Sequence, residues 1–215
     1  MEDILLIDKP VGMTSFDVIR TLRKRYGVRK MGHAGTLDPA ASGLLIVGVG
    51  EGTKTLDTFL KLPKTYEARV LLGEATDTAD ADGAVVEEAP ISACDTAEVR
   101  EALAGMVGTL TLPVPRFAAI KQNGEPLYKK ARRGEAFEPP VRSMEVRAAE
   151  LRGIERHGDR CVLDVVFDVA SGVYVRSLAV ELGRRLGVPA RLDGLRRTQI
   201  GEYSVRDAEL LHKEE

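Results

Sequence analysis

Asp38 is the side chain in this sequence best placed for chemistry. It stands in Gly32-His33-Ala34-Gly35-Thr36-Leu37-Asp38-Pro39-Ala40-Ala41-Ser42-Gly43, where Pro39 biases it away from helical torsions and the glycines let backbone come close to a ligand. A carboxylate projecting from such a tight loop is ionised at neutral pH and can act as a nucleophile without a separate activating residue. On composition alone the same residues also describe an Asp-Pro turn between a helix and a strand.

Other chemistries fit poorly. Gly48-Val49-Gly50-Glu51-Gly52-Thr53-Lys54-Thr55 has its lysine one residue too late for a phosphate loop. Thr78-x-Asp80-x-Asp82-Gly83 lacks the first acidic residue of a calcium loop and has Ala89 where the bidentate glutamate belongs. Cys94 and Cys161 form no C-x-x-C pair, and His33, His157 and His212 are scattered, so no metal is expected and the thiols are expected to be reduced.

The elements that would position Asp38 can be read around it. Ile4 to Asp8 suits a short buried strand. Thr14 or Ser15 can cap a helix to about Tyr26, because Val18, Ile19, Leu22 and Tyr26 recur at helical spacing and Gly27 supplies a stop. A loop from Met31 to Gly43 then leads into the apolar run Leu44 to Val49, a buried strand. Thr53 to Leu60 suits a short helix and Thr65 to Leu72 a strand. Asp95 opens a capped helix stopped by Gly105. Asn123-Gly124 signals a hairpin, followed by a brief basic helix ended by Gly134. Met144 to Arg156 and Cys161 to Val169 suggest an antiparallel pair, and Leu178, Ala179, Leu182 and Leu186 outline a last helix. Hairpins among a few helices predict an α+β fold with a mixed, largely antiparallel sheet, and one domain over residues 1–215.

Composition bounds the partners. The 44% hydrophobic and 30% charged content is ordinary for a globular protein, and no apolar run approaches the ~20 residues that cross a bilayer. Met1 to Leu5 lacks a secretory signal, which predicts a cytoplasmic location. The net charge of −2 hides an uneven distribution. Acidic residues collect between Glu74 and Glu101. Basic ones collect at Arg20 to Lys30, at Arg116 to Arg133, and at Arg184, Arg185, Arg191, Arg196 and Arg197. Such clusters suit either solvated helix faces or a nucleic-acid surface.

The string around Asp38 resembles the TruB-like signature G-H-[TSA]-G-T-L-D-P, and the resemblance runs in order along nearly the whole chain. Asp8-Lys9-Pro10-x-Gly12-x-Thr14-Ser15 is similar to the opening motif of these tRNA pseudouridine synthases, and Lys64-Thr65-Tyr66 to their catalytic tyrosine strand. Thr76-Asp77-Thr78-x-Asp80, Gly172-Val173-Tyr174-Val175-Arg176 and Leu195-Arg196-Arg197-Thr198 follow. The resemblance implies the pseudouridine synthase fold. It implies conversion of uridine to pseudouridine at position 55 in the TΨC loop of tRNA, with no cofactor. Asp38 would be the nucleophile, attacking either the sugar or the base. Tyr66 would stack on the flipped base and accept a proton, with Tyr174 and Leu195 lining the pocket and His33 entering the opened RNA loop. Tyr174 and Arg176, two apart on a strand-like stretch, would face one side, so that Arg176 approaches Asp38. Lys9, Lys64 and the basic helix residues would contact phosphates.

Two departures qualify the match. Ala118 stands where the family usually has serine, and the chain ends at Glu215 without the usual C-terminal PUA-type domain, so a catalytic domain alone is expected. The expected partner is the tRNA T-arm, with no membrane, no required protein partner and a monomeric state. A tRNA-binding RNA chaperone that does not need the chemistry is the alternative, and a guide-RNA-dependent enzyme a weaker third.

Overall fold

The computed structural model describes residues 3–91 and 93–211, so the N-terminal reading on Met1 and Glu2, and His212, lie outside the described residues. In chain order, β1 (Ile4–Lys9) leads to α1 (Ser15–Tyr26), β2 (Met31–Ala34), β3 (Ala41–Val49), a 3₁₀ turn (Gly50–Thr55) running into α2 (Leu56–Leu60), and β4 (Lys64–Leu72). The small hairpin β5 (Glu74–Thr76) and β6 (Val85–Glu88) precedes α3 (Thr96–Ala104) and β7 (Gly108–Pro113). Next come the short β8 (Lys121–Gln122) and β9 (Glu125–Pro126), α4 (Leu127–Arg132), and the long strands β10 (Val141–His157) and β11 (Arg160–Val169). The last elements are α5 (Val175–Leu186), β12 (Ala190–Ile200), β13 (Tyr203–Ser204) and β14 (Glu209–Leu210). The fold is α+β with mostly antiparallel pairing, as the hairpin pattern predicts. No described helix is long and apolar enough to cross a membrane.

The chain divides into two compact units. The first comprises the described residues up to Glu67, Asp168–Ser171, and those from Leu195 onward; the second comprises Ala68–Phe167 and Gly172–Gly194.

In the first unit β3 is central. It pairs antiparallel with β1 and β2, and parallel with β12 in the register Leu195↔Ala41 to Arg197↔Gly43. Its side chains alternate between two cores. Leu45, Val47 and Val49 meet Val18, Ile19 and Leu22 of α1, while Leu44 and Ile46 meet Leu56, Phe59 and Ile200. A strand covered on both faces reads as a continuous apolar run. Of the two caps that the sequence offers, Thr14 is the one used, in a capping box with Asp17, and helix α1 ends on Gly27 at φ +66 as expected.

In the second unit β7 pairs antiparallel with β10, from Val141↔Pro113 to Val146↔Gly108, and β10 neighbours both β7 and β11. Helix α3, capped by the Asp95 carboxylate, packs on β10 and α5 through buried Val99 and Leu103. Asn123 and Gly124 take positive φ values of 55° and 83° between β8 and β9, the hairpin turn that this dipeptide predicts. Cys94 and Cys161 are free, and burial, then the neighbouring Cys161 thiol, pushes the Cys94 thiol up to about 12.

Two expectations need correction. Residues 31–34, read as part of a loop, form β2. The stretch at Val173 to Arg176, read as extended, opens α5 instead, because the Tyr174 carbonyl accepts the amides of Ser177 and Leu178. Tyr174 is therefore the N-cap and Arg176 lies in the first helical turn, so the two do not share a face by strand alternation.

Candidate active site

The Asp38 loop leaves the sheet where β3 exchanges β2 for β12 as its neighbour, since β2 pairs with residues 46–49 and β12 with residues 41–43. Backbone contacts hold it on both sides of the carboxylate. The Ser15 hydroxyl accepts from the Leu37 amide at 2.9 Å and donates to the Leu37 carbonyl at 3.2 Å. The Gly12 amide donates to the Pro39 carbonyl at 2.7 Å, and the Ala41 amide to the Asp38 carbonyl at 3.0 Å. Leu37 is buried and Asp38 half-buried. Thus Leu37 acts as an apolar anchor, and bonds to the backbone of Leu37, Asp38 and Pro39 fix the D-P turn.

Lys9 sits beneath this arrangement. Its side chain is fully buried, and its ammonium donates to the carbonyls of Pro10 (2.9 Å) and Met13 (2.7 Å), shaping the turn that contains Gly12. Lys64 is also buried and donates to the carbonyls of Leu60 and Leu62, both at 2.6 Å, closing the end of α2. The expectation that these two lysines contact phosphates is therefore corrected. Each ammonium replaces its hydration with loop carbonyls, which satisfies a buried cation but removes it from the surface.

Burial, then the charge of Arg197, lowers Lys64 to about 8. An unfolded lysine keeps its proton up to about 10.5, so between pH 8 and 10.5 the folded chain binds fewer protons than the unfolded one, and stability rises with pH. Below that window both states are charged and the burial penalty acts in full. We expect the wild type to gain stability between about pH 7.5 and about pH 9.5 relative to Lys64→Met, all other titrating groups being common to both. Parallel urea titrations check this, and equal pH slopes for the two proteins would refute it.

Arg197 is the residue that sequence reading placed wrongly. Assigned to a basic cluster, it is 1% exposed, with Nε donating to the Leu44 carbonyl at 2.8 Å and a terminal nitrogen to the Gly35 carbonyl at 3.0 Å. It thus ties the start of the Asp38 loop to β3. Burial, then the charge of Arg197, lowers the His33 pKa and so disfavours its charged form, and His33 Nδ1 is buried without a hydrogen-bond partner. Arg196 pairs with both oxygens of Asp8 (2.7 and 3.1 Å), which links the D-K-P motif to β12. Leu195, half-buried, lies opposite Ala41 in the register. Tyr66 is buried in β4 on the same face as Lys64.

In the second unit Arg176 is buried. It donates to the Thr78 carbonyl at 3.1 Å and faces the Asp80 carboxylate at 3.3 Å. Thr78 donates to that carboxylate at 2.5 Å and Thr76 to the Asp80 carbonyl at 2.6 Å. The T-D-T-x-D motif is thus a folded support for Arg176, and Asp80 is a member that sequence reading named only as part of a motif. A cavity of about 270 Å³ is lined by Asp77, Thr78, Pro113, Pro115, Ser177 and Val180. Tyr174 is half-buried at the start of α5. Ala118 is buried, with backbone bonds to Pro115 and Tyr128.

The basic clusters also sort by structure. In the last cluster Arg184 and Arg185 pair with Glu181, Arg191 with Glu74 and Asp193, and Arg196 with Asp8. It is largely neutralised and not a free cationic surface. Around the Asn123 hairpin, Arg133 is held by Glu125 and Glu135, while Lys121, Lys129 and Arg132 are exposed.

The sequence matches the TruB family pseudouridylate synthase N-terminal domain over residues 23–175. The chain belongs to this family. It is 43% identical over 208 residues to the tRNA pseudouridine synthase B of Aromatoleum aromaticum, covering 97% of this chain and 66% of that protein. Against the tRNA pseudouridine synthase B of Thermobifida fusca the identity is 40% over 214 residues, covering 98% and 73%. The chain thus spans about two thirds of the length of these TruB relatives. Among solved structures, one of a Cbf5–Nop10–Gar1 complex matches with a TM-score of 0.69 at 24% identity, over 97% of this chain and 52% of that one. That likeness shows the fold.

Proposed function

We propose that this chain isomerises uridine to pseudouridine in the TΨC loop of tRNA, with Asp38 as the nucleophile. The observation that carries the reading is the Asp38 loop itself: a half-buried carboxylate in a turn whose flanking residues Leu37 and Pro39 are pinned by Ser15 and Gly12, in a member of a pseudouridylate synthase family. The reaction breaks the C1′–N1 bond, forms C1′–C5, releases the C5 proton and leaves a proton on N1. It is redox-neutral and needs no external energy source. A preorganised carboxylate adding to the sugar or the base, then departing, suits it as it does the retaining glycosidases.

The other side chains take supporting roles in this reading. Tyr66 offers an aromatic face to a base drawn out of its stack and accepts the C5 proton; Tyr174 and Leu195 each contribute to substrate binding. His33 enters the opened loop through shape and stacking. Arg176, oriented by Thr78 and Asp80, takes the supporting cation role that the family resemblance gives it. Phosphate contacts fall to exposed cations such as Lys121, Lys129 and Arg132, which position RNA without reading its sequence.

Tritium release from a tRNA transcript labelled at uracil C5 tests the function. The wild type is expected to release one tritium per tRNA at the T-loop uridine, and none from a transcript with cytidine there. Tight tRNA binding with no release would replace the synthase reading with a chaperone.

A further inference from the structure

Helix α1 has a face that the fold does not use. Its buried side is Ser15, Val18, Ile19 and Leu22, and on another side Phe16 is 60% exposed, although apolar surface of that size is normally withdrawn from water. Phe16, Arg20 and Arg23 follow at i, i+4 and i+7, so they form one stripe along the helix. The guanidinium carbons of Arg20 and Arg23 lie 5.9 and 6.0 Å from the Phe16 ring centroid. Both guanidinium groups lie over the ring at the outer limit of a cation–π contact, and the ring nonetheless keeps 60% of its surface exposed.

Both arginines have partners within the chain. Arg23 donates to the Met31 carbonyl at 3.0 Å, and its buried Nε has no hydrogen-bond partner. Arg20 pairs with Asp17, the residue that completes the helix cap. An exposed aromatic ring accompanied by two partnered cations matches a nucleobase face with its neighbouring phosphates. The stripe also begins beside Ser15, the residue that clamps Leu37 next to Asp38.

We propose that the Phe16–Arg20–Arg23 stripe is a second RNA contact, in which Phe16 stacks on an unpaired base other than the reacting uridine and the arginines hold adjacent phosphates. The proposal rests on the reading of the chain as a tRNA-modifying enzyme. It is tested with the whole chain by tritium-release kinetics and by filter-binding affinity for the same tRNA, on wild type, Phe16→Ala, Phe16→Tyr and Arg20→Ala.

Phe16→Ala is expected to raise both KM and Kd about tenfold, with kcat at saturating RNA retained, and Phe16→Tyr to restore both to within about twofold. Arg20→Ala is expected to weaken binding and reduce the salt dependence by about one counterion. Wild-type KM and Kd in Phe16→Ala would overturn the proposal. So would a fall in kcat at unchanged KM, or a lowered melting temperature, since either would give Phe16 a structural role. If the wild type releases no tritium, the catalytic reading fails, and the Kd comparison still decides the stripe.

Discussion

Asp38→Asn is expected to lower the rate of tritium release by at least about a thousandfold while the protein still folds and binds tRNA. Asparagine matches aspartate in shape and serves equally well in a turn, so the substitution removes the charge and the oxygen proposed as the nucleophile while the side-chain volume is kept. The loop has backbone bonds on both sides of residue 38 that the variant keeps. Leu37 is held by Ser15, Pro39 by Gly12, and residue 38 by its own carbonyl to Ala41, all through backbone atoms that the variant retains. Single-turnover release with wild type and variant, alongside circular dichroism and a binding isotherm, separates loss of chemistry from loss of structure. A variant within about tenfold of the wild type would remove Asp38 from the mechanism.

The second large effect concerns a residue that does no chemistry. Gly43→Ala is expected to cost roughly 3 kcal/mol or more and to abolish activity at temperatures where the wild type is folded. A Cβ there would lie 2.2 Å from the Arg197 carbonyl oxygen and 2.7 Å from its nitrogen, and the backbone holds φ +104, which L-residues rarely adopt. The obstructing atoms are backbone of β12, so no side-chain rotation relieves them. Moving that strand would also draw Arg197 from the carbonyls of Leu44 and Gly35. Gly27→Ala and Gly187→Ala are the controls. Their φ values are +66 and +70 with nothing within 4 Å, so each should cost only about 1 kcal/mol. Urea unfolding of the three variants measures the difference. Similar losses in all three would mean that β3 and β12 do not pass as closely as described.

Much of this architecture was legible where local and tertiary demands coincide. Val18, Ile19 and Leu22 mark the buried side of α1 because that side meets β3, and Thr14 and Gly27 mark its ends because a helix leaves amides and carbonyls to be satisfied there. The motif loop itself was legible through Asp38-Pro39 and its glycines. What hid was polar burial. Arg196 and Arg197 make β12 look like a solvated basic segment, yet one is paired with Asp8 and the other is buried against two carbonyls that lie far away in sequence. Lys9 and Lys64 disappeared for the same reason, since nothing in a lysine's neighbours signals that loop carbonyls will enclose it. Val173-Tyr174-Val175 reads as a strand from its β-branched residues, but its end is absorbed into α5, whose amphipathic pattern further on prevails. Tertiary partners decided each of these cases, and none of those partners is local.

The first unit is assembled from segments at opposite ends of the sequence, and this has a consequence for biosynthesis. The Gly35 carbonyl waits for Arg197, 162 residues later, and Asp8 waits for Arg196, 188 residues later. A growing polypeptide therefore carries Asp38 early but cannot lock the loop around it until β12 has been made. Such distant closures are entropically slow. The final fixing of the loop should accordingly be among the late events of maturation, so that a half-made chain holds Asp38 in an unassembled loop.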